Sequence, residues 1–216
     1  MYKLAAFLIL FSLSVKAQQP ELKGGLTAFV KNNTIYPSYS KSNCLQGTIN
    51  VGFKLNTKGE VYYSLVTSGL GTDLDDEALR LIRLSSRKWT VPKTHDTTSL
   101  LVVPINFTLN GYDCDRVSKA DIAFAIKVYK DEEELTKVVT NYYQNKEKGT
   151  AKLEDEARIL LIKNQLGIDD EYLGERIDAG LKKIKQGDKQ GACEDFNFVK
   201  YMGSDKANDW LTKYCK

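Results

Sequence analysis

Gly47-Thr48-Ile49-Asn50-Val51-Gly52-Phe53-Lys54-Leu55, followed by Asn56-Thr57-Lys58-Gly59 and then Glu60-Val61, is the stretch whose reading decides the fold. Ile49, Val51, Phe53 and Leu55 alternate with Thr48, Asn50 and Lys54, the period of a half-buried strand. Asn56 to Gly59 reads as a hairpin turn, with Gly59 free to take positive φ. Val61 to Thr67 is the return strand, expected to place Val61, Tyr63 and Leu65 on one face.

Downstream, Ser68-Gly69-Leu70-Gly71 breaks the sheet. Asp73 is expected to N-cap a helix, with Asp75, Asp76 and Glu77 placing negative charge in its first turn, where the helix dipole favours it. Leu74, Ala78, Leu81 and Ile82 make its apolar stripe, and Arg80 and Arg83 point elsewhere. Trp89-Thr90-Val91-Pro92 ends this element, with Trp89 as a core anchor; Lys93 to Ser99 is a polar loop. Leu101, Val103, Ile105, Phe107 and Leu109 then alternate as a last strand. Upstream, Gln18 to Gly25 is a polar leader, and Leu26 to Asn33 is a turn of helix or an extended lead-in. Pro37 bars a helix at Tyr36.

Strand, strand, helix, strand gives an α+β unit: a three-stranded antiparallel sheet of order 2-1-3 with the helix on one face, reached by a right-handed crossover. The second and third strands are then edges. Pro104 points the same way, because proline cannot donate to a ladder. This topology sets the start of the first strand beside the end of the third, which brings Cys44 to Cys114. A disulfide there stabilises by about 3–4 kcal/mol in the chain-entropy model.

After Cys114 the pattern turns helical. Asp131 to Lys146 carries Leu135, Val138, Val139, Tyr142 and Tyr143 at helical spacing. Leu153, Ala157, Leu160 and Leu161 form a second stripe; Ile177, Leu181 and Ile184 a third; Ala192, Phe196 and Val199 a fourth; and Ala207, Trp210, Leu211, Tyr214 and Cys215 a fifth. The four adjacent acids Asp131 to Glu134 are read as first-turn charge, not as a metal site.

Met1-Tyr2-Lys3, the apolar run Leu4 to Val15 and the small-x-small site Val15-Lys16-Ala17 read as a cleaved signal peptide over residues 1–17, with a short anchor as the alternative. The run is shorter than the roughly 20 apolar residues that span a bilayer, and no later stretch is apolar enough, so the mature chain is expected to be exported without a membrane span. The formal net charge of +3 is too small to argue for nucleic acid or an anionic membrane as partner, and no nucleic-acid partner is expected. Four cysteines in an exported chain favour disulfides; four allow three connectivities. With no C-x-x-C pair and one histidine, His95, neither a metal nor a cofactor is implied.

The first unit resembles the C-terminal domain of TonB-family proteins. The residues that carry the likeness are Tyr36-Pro37; Gly47 to Phe53; Gly59-Glu60-Val61; Ser68-Gly69; Leu74 to Leu79; Trp89 with Pro92; and Pro104-Ile105-Asn106-Phe107. Their order and spacing, over about residues 26 to 110, carry it; each piece alone is weak. The resemblance implies a periplasmic domain that takes an extended segment of an outer-membrane receptor onto the edge of its last strand, here Leu100 to Leu109. It names Tyr36, Pro37, Leu100, Val102, Pro104, Asn106 and Thr108 as partner-binding residues. Full TonB proteins also carry a membrane-spanning N-terminal helix and a Pro-rich spacer. This sequence shows neither, so binding without force transmission is expected, and Val91-Pro92-Lys93 replaces the usual Pro-Gly-rich turn.

Gly187 to Phe196 looks like a tetratricopeptide or Sel1-like helical hairpin. One such unit cannot bury its face alone, so it is expected to pack on the preceding helices. Cys193 and Cys215 lie on the apolar stripes of adjacent helices, as a bridge or as two buried thiols. The expected domains are 1–17 signal peptide, 26–112 TonB C-terminal-like, and 118–216 helical.

Catalytic readings do not hold. Gly69-x-Gly71 lacks the third glycine of a dinucleotide turn, since Leu74 stands there, and Asp73, Asp75 and Asp76 repel an anion. His95 sits in a polar loop with no nucleophile placed by any motif. Tyr36, Tyr62 and Tyr63 suit a recognition surface. The expectation is a non-enzymatic periplasmic binding module, linked to transmembrane transport, whose partner is an outer-membrane receptor or other envelope protein. The alternative is a scaffold whose sheet edge is closed by its own leader or by a second copy in a homodimer, with the helical part binding the partner.

Overall fold

The computed structural model describes residues 19–215. The signal peptide expected over residues 1–17 lies outside them. Strand β1 (Glu21–Leu22) and helices α1 (Leu26–Asn33) and α2 (Ser38–Ser42) lead into β2 (Gly47–Leu55) and β3 (Val61–Ser68). Helix α3 (Asp73–Leu84), β4 (Trp89–Thr90) and β5 (Leu101–Phe107) complete the first unit. Five helices follow: α4 (Lys119–Glu147), α5 (Glu156–Gln165), α6 (Asp170–Gln186), α7 (Lys189–Tyr201) and α8 (Asn208–Tyr214). The protein is therefore α+β, a small antiparallel sheet with a helical remainder. No helix among the described residues is long and apolar enough to cross a membrane.

In the sheet, β2 lies between β3 and β5 and pairs antiparallel with both. Ile49, Val51, Phe53 and Leu55 are fully buried against Leu74, Ala78, Leu81 and Ile82 of α3. Each large side chain so buried contributes about 1.5–3 kcal/mol. Gly59 takes φ 74° in the hairpin turn, and its N–H donates to Asn56 O at 3.0 Å. Trp89 closes the end of this core, its ring 5.0 Å from that of Phe53 and its indole N–H on Ser85 Oγ at 2.8 Å.

The return strand departs from simple alternation. Leu55 pairs with Val61 but Lys54 with Tyr63, so Tyr62 is an extra residue and the pairing shifts. A bulge of this kind moves the following side chains to the opposite face. Ser64 and Val66 therefore turn toward α3, while Tyr63 and Leu65, expected inside with Val61, face away from it.

Other expectations are revised by packing. The leader is not merely polar: Leu22 is buried and β1 pairs antiparallel with β4, Leu22 opposite Trp89. Residues Leu26–Asn33 are helical. Thr72, not Asp73, is the N-cap residue of α3. Asp73 instead accepts a short hydrogen bond from the Ser40 hydroxyl, and the Asp75 carboxylate takes the N–H groups of Leu70 (3.0 Å) and Gly71 (2.9 Å). Asp131 to Glu134 lie in the middle of α4, whose true start is the capping box of Ser118 and Asp121. The apolar residues Ile122, Ala125 and Ile126 that precede the acids pack on the sheet core, whereas Val139 and Tyr142 belong to a second core. One 29-residue helix thus serves both.

The second core gathers Val139, Ile159, Leu173, Phe196, Val199 and Met202. Helices α6 and α7 approach closely because position 180 has no side chain: a Cβ there would lie 2.5 Å from the Phe196 ring. In α5 it is Ile159 that is buried; Leu153, Leu160 and Leu161 of the expected stripe are exposed. Two disulfides brace the chain, Cys44–Cys114 and Cys193–Cys215, each with a Cα separation of 5.6 Å.

Candidate functional site

A three-stranded sheet has two edges, and here they have different fates. On β3, the side-chain amide of Gln190, from α7, pairs with the backbone of Ser64 as a neighbouring strand would. Its Oε1 accepts from Ser64 N–H at 3.1 Å and its Nε2 donates to Ser64 C=O at 3.0 Å. Beside it the Arg83 guanidinium, only 7% exposed, donates to Ser64 Oγ at 2.8 Å and forks onto both oxygens of Glu194 at 2.7 and 2.8 Å. At the start of the strand, Val61 N–H is taken by Ser86 Oγ at 3.0 Å. The helical part therefore caps β3 at Ser64.

On β5 the edge is open. Asn50 lies opposite Pro104 and Thr48 opposite Asn106. Pro104 has no N–H, so this set of residues, Val102, Pro104 and Asn106, turns its backbone groups away from β2, while Val103 and Ile105 bond to it. Among the described residues, no hydrogen bond satisfies the outward backbone groups of Val102, Pro104 or Asn106. The free edge presents two N–H donors, at Val102 and Asn106, with the missing proline donor between them.

Helix α1 runs beside this edge and leaves a groove of about 390 Å3. Leu26, Val30, Tyr36 and Ile105 supply its apolar wall; Thr27, Thr34, Asn106 and Thr108 supply hydroxyl and amide groups; Lys31 is its one charged residue. The helix is pinned at its C-terminal end. Buried Glu77 accepts from Ile35 N–H at 2.8 Å and from Arg80 Nε at 2.6 Å, and Arg80 donates onward to Asn33 C=O at 2.7 Å. Tyr36 holds the groove floor: its hydroxyl donates to Leu45 C=O at 2.5 Å and its ring meets Phe107 edge-on at 5.9 Å. Burial, with a smaller push from Asp73, raises the Tyr36 hydroxyl to about 12, so it stays a neutral donor.

Of the residues singled out in the sequence, Tyr36, Pro104, Asn106 and Thr108 come together in this groove. Leu100 and Val102 are exposed on the sheet face away from α3, where Leu100 lies across Gly52. Pro37 is the N-cap residue of α2, outside the groove lining. Tyr62 is tied to the loop before β5 through its hydroxyl to Thr97 C=O at 2.6 Å, and Tyr63 is capped by Lys54. His95 stays in that loop. No group of three or more His, Cys, Asp or Glu side chains that could hold a metal ion occurs among the described residues. The reading of the sequence did not find Gln190, Arg83 or the α1 wall; an amide in a helical turn carries no mark of a strand partner.

The first unit is thus an α+β module with one sheet edge capped at Ser64 and one open. Residues 32–109, which hold both edges, match the family model described as Gram-negative bacterial TonB protein C-terminal. That is a protein-interaction family of the periplasm, and the two disulfides fit an oxidising compartment. No curated protein and no solved structure matches the chain.

Proposed function

We propose that this chain is a periplasmic protein-binding module, linked to transmembrane transport, that takes an extended segment of an outer-membrane receptor or other envelope protein as an added strand on β5. The observation that carries this reading is the asymmetry of the edges: Gln190 caps β3 at Ser64, while the outward backbone groups of Val102 and Asn106 have no partner among the described residues and Asn106 lines the groove beside α1. Backbone bonds to Val102 and Asn106 supply affinity. Tyr36, Thr108 and the α1 side chains select among segments. Pro104 fixes the register, because the segment has no donor to meet there. The division of labour is a binding unit over residues 26–112 and a helical unit over residues 118–216 that caps the other edge at Ser64. Residues 1–17 act as an export signal.

The test is photo-crosslinking from Thr108 in envelope preparations, with and without Asn106→Pro. That change removes an edge donor while leaving the β2 side of the ladder intact. Capture of a discrete envelope protein through Thr108, lost in Asn106→Pro, is the expected result. If the folded chain captures none, the edge is not a receptor site. Capture of a second copy of the chain instead marks the homodimer that the edge also admits.

A further inference from the structure

The turn that leaves β5 carries the one asparagine of the sequence that a glycine follows, Asn110-Gly111. Asn110 is exposed and lines the groove beside α1. Gly111 takes φ 79°, and the space where a Cβ would stand is open. An asparagine side-chain carbon and the peptide nitrogen after it are held within reach of each other, so their reaction is intramolecular. Glycine favours that reaction, because no side chain crowds its nitrogen and its backbone turns freely.

Folding normally blocks such a reaction by engaging both groups. In helices and strands the N–H after an asparagine is held in the backbone ladder. Of the other asparagines in turns, Asn43 gives its amide to Tyr39 C=O at 2.9 Å, and the next N–H, of Cys44, donates to Lys41 C=O at 3.4 Å. Asn56 donates to Glu60 Oε2 at 2.6 Å and accepts from Lys58 N–H at 2.9 Å. At Asn110, no hydrogen bond among the described residues engages the side-chain amide or the Gly111 N–H.

We propose that Asn110 is a self-modifying site that deamidates to aspartate and isoaspartate. The Gly111 N–H gives its proton to hydroxide, and the nitrogen attacks Asn110 Cγ to form a new C–N bond. The C–N bond of the side-chain amide breaks, and ammonia leaves with a proton from water. Water then opens the succinimide ring at either carbonyl, which leaves a carboxylate; nothing is oxidised or reduced. The groove, whose one charged residue is Lys31, thereby gains a carboxylate and becomes formally neutral. The isoaspartate product also places the side-chain methylene in the backbone. That change falls between two fixed points: Leu109, whose N–H is held by Gln46 Oε1 at 2.7 Å, and Cys114, bridged to Cys44. The modification does not depend on what the groove binds.

The experiment is timed incubation of the folded, disulfide-bonded chain at mildly alkaline pH, followed by peptide mapping of every asparagine by mass spectrometry and assay of released ammonia. Expected is conversion at Asn110 at least about tenfold faster than at any other asparagine, with isoaspartate among the products. The rate should rise with pH, because the attacking nitrogen must first lose its proton. In Asn110→Gln, ammonia release should fall to the level set by the remaining asparagines. Conversion at Asn110 no faster than elsewhere, or seen only once the chain is unfolded in urea, overturns the proposal. Both outcomes are read on the unaltered chain, so a failure of the variant to fold decides neither.

Discussion

The side-chain amide of Gln190 occupies the place of a strand residue beside Ser64, taking both its N–H and its C=O at 3.1 and 3.0 Å. A helix thereby finishes a sheet edge that would otherwise present bare backbone to other chains. Gln190→Ala should leave two backbone groups of a residue only 3% exposed without partners. The expected loss is about 1–3 kcal/mol in denaturant unfolding. Amide exchange at Ser64 should quicken, and edge-to-edge dimers should appear in sedimentation. A Gln190→Ala variant that keeps full stability and slow exchange at Ser64 would refute the capping role.

Arg83 is the ionic counterpart of that contact. It lies almost wholly buried between Ser64, Glu194 and Asp188, the last at 3.9 Å. Asp188 is itself pushed up by burial and drawn down by the Gly191 N–H and by Arg83. Removing the cation leaves a buried carboxylate with less to hold it, so Arg83→Met should cost about 3 kcal/mol. Arg83→Lys keeps the charge but not the fork, and should fall between. Solution scattering checks the geometry: the Arg83→Met variant should show a larger radius of gyration as the helical unit loosens from β3.

Much of the first unit was legible because its signals are redundant. In β2, four apolar residues alternate with polar ones, and all four are fully buried. The same rule failed one strand later. Tyr62-Tyr63 carries no mark of the bulge, and one extra residue reversed the side chains from Tyr63 to Val66. In α5 the run Ile159-Leu160-Leu161-Ile162 is apolar at four successive positions and fits more than one stripe; the expected one runs through Leu160 and Leu161, and packing chose Ile159. The acids in α4 suggested a helix start because dipole chemistry places acids there, but a long helix tolerates them on an exposed face. Of the groove, the β5 side was readable through Pro104. The α1 wall and the Gln190 seal arise from contacts between residues far apart in sequence, which periodicity does not report.

The two disulfides should contribute unequally. Cys44–Cys114 closes a span of 70 residues and Cys193–Cys215 one of 22. Loop-closure entropy then assigns about 4 kcal/mol to the first and about 3 kcal/mol to the second. The double variant Cys44→Ser, Cys114→Ser should therefore lower the unfolding midpoint more than Cys193→Ser, Cys215→Ser. It should also loosen the start of β2 from the turn that follows β5. The reverse order in calorimetry would mean that the helical unit, not the sheet, limits stability.

Asp76 contributes to the pH dependence of the folded chain. Its carboxyl is pushed up to about 6 by desolvation and Glu133, against the opposing pull of Arg176 and Lys183, from an unfolded value of about 3.9. Between those values the folded state holds more protons than the unfolded one, so this group lowers stability as pH rises from about 4 to about 6. The penalty is absent below the unfolded pKa and complete above the folded one. Asp76 is exposed to solvent, which screens the effect to about 1 kcal/mol. Asp76→Asn should accordingly stabilise the chain at pH 7.5 by about that amount and change nothing at pH 3.5. The check is a pair of urea titrations at the two pH values. A gain that is equal at both would place the effect in packing or helix dipole and not in the proton.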